Sequence, residues 1–148
     1  MVDVEKELGS LFDRLDEQRK TKAEEYEKTE QRMKIEYDEF KGIDDRIAPV
    51  MLEYQKYLQK KGIDSDIVRV PKPGTPRLRK PSISFVLTDS SLTSRLGVYP
   101  SIKYSLEGEK ISETIQGKTT FSIEYSKDQI SQEFVATKLT NLIKSAMI

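Results

Sequence analysis

Residues 4–41, VEKELGSLFDRLDEQRKTKAEEYEKTEQRMKIEYDEFK, decide how the rest of the chain must be read. Apolar side chains recur at Val4, Leu8, Leu11, Leu15, Tyr26, Met33, Tyr37 and Phe40, and polar Arg19, Lys22 and Thr29 fill the intermediate slots. Ten steps cover 36 residues, a spacing of about 3.6, which is the period of a straight α-helix; a sustained supercoil holds nearer 3.5. Good helix formers dominate, no proline intervenes, and Gly9 is the one weak position, so a helix on the order of 57 Å is predicted. Its charges are arranged to be solvated. Glu24–Lys28 and Glu30–Lys34 have the Glu-before-Lys spacing that supports an exposed helix by ~0.2–0.5 kcal/mol per pair, and no carboxylate cluster has the spacing of a calcium loop.

Working outward, Gly42 and Pro49 bracket a predicted break, because glycine tends to end helices and proline suits a first turn better than an interior. A second helix with the stripe Ile47, Met51, Tyr54 and Leu58 follows to about Lys61, with Gly62 as its cap; of the two readings, an antiparallel hairpin over residues 1–62 and a single kinked rod, the hairpin is expected. Residues 63–81 carry Pro71, Pro73, Pro76 and Pro81 with Gly74 and read as a basic, extended linker.

Beyond Pro81 the period changes from helical to alternating. Ile83, Phe85 and Leu87, then Val98, Ile102, Tyr104 and Leu106, then Ile111 to Ile115, then Phe121, Ile123 and Tyr125 describe four half-buried strands with turns at Gly108 and Gly117. Ser126 and Gln129 resemble a capping box, after which Ile130, Phe134, Leu139, Leu142 and Ile143 trace one helical face. The expected fold is therefore α+β: a helical region, then a four-stranded antiparallel meander packed against a C-terminal helix over residues 82–148.

Composition narrows the chemistry. Histidine and cysteine are both absent, which removes the commonest general base and the side chains that most often bind transition metals or act as thiolate nucleophiles. Lys+Arg and Asp+Glu are both 25, so the net charge is zero and no global field attracts nucleic acid or an acidic substrate. Residues 1–62 hold 16 acidic and 13 basic side chains, a mild local excess of negative charge. Charged residues make up 34% of the chain, the proportion of a protein with a long solvated helix. Met1–Glu7 already contains Asp3, Glu5 and Glu7, with no apolar run of signal-peptide length, and a cytoplasmic location is expected. Neither a cofactor nor a metal site is expected.

Four candidate sites remain. Arg69, Lys72, Arg77, Arg79 and Lys80 could contact phosphates, but no aromatic ring is interleaved for base stacking. Pro73-Gly74-Thr75-Pro76 fits only the minimal PxxP pattern. Asp89 to Arg95 offers hydroxyls in a loop without a glycine-rich phosphate cradle. Glu113 lies in phase with Ile111 and Ile115, where a regular strand would bury its carboxylate, so a bulge or an edge position is expected.

The heaviest feature is the stripe itself. Leu8, Leu11, Phe12 and Leu15, continued by Tyr26 and Met33, are too apolar to leave in water, and a hairpin would cover only the later half of the long helix. Either a second copy covers the first half or the sheet folds back onto it. These features point to a non-catalytic interaction or assembly module, self-associating as a homodimer through Leu8, Leu11, Phe12, Leu15, Tyr26 and Met33. The alternatives are a nucleic-acid-associated protein using residues 69–80, and a small hydrolase or transferase relying on Ser, Lys or carboxylates. Limited trypsin is expected to cut first within residues 71–80, where prolines leave few backbone hydrogen bonds; early cleavage inside 83–125 with this segment intact would contradict the linker reading.

Overall fold

The computed structural model describes residues 3–70, 80–92, 98–117 and 119–147. A single helix, α1 (Val4–Lys60), is followed by five strands, β1 (Ser65–Val70), β2 (Ser82–Leu87), β3 (Ser101–Glu107), β4 (Lys110–Gln116) and β5 (Thr120–Ser126), and by α2 (Gln132–Met147). The class is α+β, as expected. The expected hairpin and strand count both need correction.

No turn forms at Gly42. α1 is one helix of 57 residues, ~86 Å long, capped by Asp3, whose Oδ1 accepts from the Lys6 amide at 3.2 Å. It passes through Gly42 and Pro49 because Phe40, Ile43, Ile47, Val50, Met51 and Leu58 are all buried along one face, and a hairpin would divide that face. Tertiary burial of this kind outweighs local propensity. Pro49 and Asp45 are exposed, so the carbonyl that loses its i→i−4 partner can be hydrated. The helix ends where expected: Gly62 adopts φ +77°, and the Gly62 and Ile63 amides donate to Gln59 and Leu58 carbonyls at 3.1 and 2.9 Å.

The sheet is a continuous antiparallel meander in the order β1-β2-β3-β4-β5. β1 comes from the start of the segment expected to be linker: Ser65–Val70 precedes the first of the clustered prolines and pairs with β2 from Ser65↔Leu87 to Val70↔Ser82. Its half-buried, weakly alternating residues gave little periodic signal. Residues 71–79 lie outside the described residues, so the linker and PxxP readings there stand as expectations only.

One face of the sheet is apolar and carries both helices. Rows run across it through paired residues, Ile67–Phe85–Ile102–Ile115–Phe121 and Arg69–Ile83–Tyr104–Glu113–Ile123. α1 packs on β1, β2 and β3, while α2 packs beside α1 and against β3 through buried Val135, Leu139 and Leu142. Tyr54 joins the helices, its hydroxyl lying 2.9 Å from the Ala136 carbonyl and 2.7 Å from Thr140 Oγ1. Arg46 Nη1 donates to the Ile130 carbonyl at 3.0 Å. The opposite face is polar, with Ser84, Lys103, Thr114 and Ser122 in one row. Ser126 and Gln129 bracket a 3₁₀ turn instead of starting α2; the α2 cap is Ser131, whose Oγ accepts from the Phe134 amide at 3.1 Å. Phe134 is consequently only half-buried, edge-on to Tyr125 at 4.9 Å.

Because Pro49 interrupts a helix whose neighbouring residues are buried, Pro49→Ala should stabilise the protein, by up to about 3 kcal/mol. Ile47→Ala should destabilise it by about 2–5 kcal/mol. Denaturant titration reads both, and a Pro49→Ala protein no more stable than wild type would show that the interruption is needed for α1 to follow the sheet.

Candidate functional site

Two features stand apart from ordinary packing: the part of α1 that projects beyond the sheet, and a buried carboxylate beneath α2. The first is built by the length of α1 alone. Its core-facing stripe continues towards the N-terminus through Met33, Tyr26, Leu15, Leu11 and Leu8, all on the same side of the helix at 100° per residue. Phe40 is the first fully buried position and Met33 is half-buried; before that the face is open. Leu11, Phe12 and Tyr26 are 55%, 59% and 53% exposed, and Val4, Leu8 and Leu15 are also in water. The sheet does not fold back onto Leu8–Leu15. All six residues predicted as an interface therefore lie on one projecting arm, with Phe12 at its margin.

The second feature was misjudged from sequence. Glu113 sits in a regular ladder between β3 and β5, with neither a bulge nor an edge, and is fully buried. Its burial is made tolerable by partners on two elements. Tyr104, directly opposite on β3, donates its hydroxyl to Glu113 Oε2 at 2.7 Å, a charge-assisted bond. Lys138 on α2 places Nζ 3.5 Å from Oε1, an ion pair too long to count as a hydrogen bond. Lys138 also lies over the rings of Tyr125 and Phe134, at 5.8 and 5.4 Å from their centroids.

These contacts act on the titration of both partners. Burial pushes the Tyr104 phenol far above its usual range, and the Glu113 carboxylate pushes it further. Burial alone would lower Lys138, but Glu113 and the Tyr125 hydroxyl outweigh it and raise the ammonium. Glu113 has no exposed surface, so the carboxylate offers no face to a substrate. Its geometry ties β3, β4 and α2 together, the work of a structural polar network.

The basic candidates are partly engaged within the fold. Arg69, on β1, binds Asp44 of α1 in a fork, Nε–Oδ2 3.0 Å and Nη2–Oδ1 3.2 Å, and that hydrogen bond raises its already high pKa. Lys80 Nζ meets Glu107 Oε2 at 2.7 Å. Lys72, Arg77 and Arg79 lie outside the described residues. In the Asp89 loop, Asp89 Oδ1 accepts from the Ser91 amide and hydroxyl at 3.0 and 2.6 Å, which lowers the Asp89 pKa and closes a local turn. Thr93 to Arg95 fall outside the described residues. Among the described residues no group of carboxylates could hold a metal ion, and no helix is long and apolar enough to cross a membrane.

Sequence reading missed one surface. Phe121 and Ile123 belong to the apolar face of the sheet, yet on the edge strand β5 they remain exposed, because the helices do not extend over them. No protein-family model, curated protein or solved structure matches the chain.

Lys138→Met would strand the Glu113 charge and should cost about 1–3 kcal/mol, less than the ~3–5 of a fully buried pair because the Lys138 side chain stays 25% exposed. Tyr104 and Lys138 both have folded pKa values raised above their unfolded ones, so the stability they contribute is present below about pH 10 and is lost as pH rises beyond it. Wild-type stability should therefore fall above about pH 10, and more steeply than that of Lys138→Met; equal alkaline slopes would remove Lys138 from the account.

Proposed function

We propose that this chain is a non-catalytic protein–protein interaction or assembly module that self-associates through the N-terminal arm of α1. One observation carries the reading: the stripe that seats α1 on the sheet continues, uncovered, along the arm. Isolated apolar side chains on a surface need no explanation, but a row in phase with a buried one forms a contiguous face.

The energetics favour a reversible complex. Full burial of a large apolar side chain contributes ~1.5–3 kcal/mol, and half-exposed residues recover roughly half of that. Leu8, Leu11, Phe12, Leu15 and Tyr26 from two copies would together gain on the order of 10 kcal/mol. Association opposes this with ~4–15 kcal/mol of lost translational, rotational and side-chain freedom. The two terms nearly balance, so the dimer should depend on protein concentration. The nucleic-acid reading has weaker support, because Arg69 and Lys80 already hold carboxylates of the same chain.

Sedimentation equilibrium tests the proposal. Wild type should show a concentration-dependent monomer–dimer equilibrium. Leu11→Glu with Leu15→Glu should yield monomers that unfold at the wild-type denaturant midpoint, since neither residue touches the buried core. A wild-type protein that remains monomeric at every accessible concentration would refute it.

A further inference from the structure

Building on the self-association reading, we infer that the occupant of the arm is a second copy of the same chain running antiparallel to the first, with the two-fold axis near Arg19. The charges beside the apolar stripe carry this. Glu7, Arg14, Glu25 and Arg32 lie along one margin of the arm, each one residue before a stripe position: Leu8, Leu15, Tyr26 and Met33. In paired helices, residues so placed flank the seam and set orientation by their charge.

The margin reads minus, plus, minus, plus. An identical arm laid alongside in the opposite direction presents the reverse order, so every position meets its opposite. Glu7 faces the partner's Arg32, and Arg14 faces the partner's Glu25; both pairs are centred between residues 19 and 20. Symmetry repeats each pair. The same register brings Val4 to the partner's Met33, Leu8 to Thr29, Leu11 to Tyr26 and Leu15 to Lys22 along the seam. On the other margin Phe12 meets Ala23. Three contacts oppose the arrangement: Glu5 faces the partner's Glu30, Asp3 at the end of the charged margin faces the partner's Glu36, and the two Arg19 side chains approach at the axis.

A parallel, in-register pair is worse. It sets Arg14 against Arg19 and Glu25 against Glu30, again twice by symmetry, with no opposite-charge pair along either margin. It also places Lys22 against Lys22 within the seam. The antiparallel register sets Lys22 beside Leu15, where its alkyl stem can cover the leucine while the ammonium reaches water.

The free length of the arm agrees independently. The stripe on the arm, from Val4 to the half-buried Met33, is centred between residues 18 and 19, as are the seam pairs, so the charge-defined register overlaps the two stripes along that length. The first turn of each α1 then lies short of Phe40, where the partner's helix enters its sheet. The result is a dumbbell, with two sheet units at opposite ends of a two-helix shaft.

The chain has no cysteine, so an introduced thiol is unique. Under mild oxidation at a concentration where wild type is dimeric, Leu8→Cys alone should give no disulfide-linked dimer. A mixture of Leu8→Cys and Thr29→Cys should link. Arg14→Glu turns both Arg14–Glu25 pairs repulsive and should weaken dimerisation roughly tenfold, and adding Glu25→Arg should restore it. Efficient self-linking of Leu8→Cys, or tighter association of Arg14→Glu, would overturn the antiparallel register while leaving self-association intact. A monomeric wild type would overturn both.

Discussion

The face of α1 that runs from Phe40 through Ile47 and Met51 to Leu58 is buried against one side of the sheet and against α2, and the other elements depend on that contact. A sheet of this size cannot cover its own apolar rows. α2, at 16 residues, packs only against part of it, so α1 must supply the rest of the covering layer. That requirement keeps α1 helical through Gly42 and Pro49, and it is reinforced at the ends of the contact by the Arg69–Asp44 fork and the Tyr54–Thr140 bond.

Beneath this layer Glu113, on β4, is the one charged side chain among the described residues that the core encloses. Enclosed carboxylates are strongly unfavourable unless paired and hydrogen-bonded, and here the pairing draws on β3 and α2 together. The arrangement makes the docking of α2 specific: a shifted helix would remove Lys138 from Glu113. α2 itself begins at Gln132, capped by Ser131, after the 3₁₀ turn that follows β5.

The arm follows from arithmetic of length. α1 spans ~86 Å, whereas its buried stretch from Phe40 to Leu58 accounts for ~27 Å at 1.5 Å per residue. The remainder carries the same stripe at lower apolar density, with Arg19, Lys22 and Thr29 in slots that would otherwise be hydrophobic. A fully apolar stripe of that length would favour aggregation; the diluted one is in keeping with the reversible pairing proposed above.

The sequence by itself determined the α+β class, the long amphipathic N-terminal helix with its apolar stripe, and strands β2 to β5, because each is a periodic pattern that local spacing reveals; that the stripe projects uncovered was decided by the fold. It could not reveal that Gly42 and Pro49 lie inside one helix, since local propensity favours a break there and only burial of Ile43, Ile47 and Val50 on the sheet overrides it. β1 was hidden for a related reason: Ser65–Val70 alternates weakly and is held as a strand by its ladder to β2. The partners of Glu113 are the clearest case. Its phase in β4 pointed inward, but the carboxylate is satisfied by Tyr104 across the ladder and by Lys138, 25 residues further along the chain, and which distant groups converge on a buried charge is settled by packing alone.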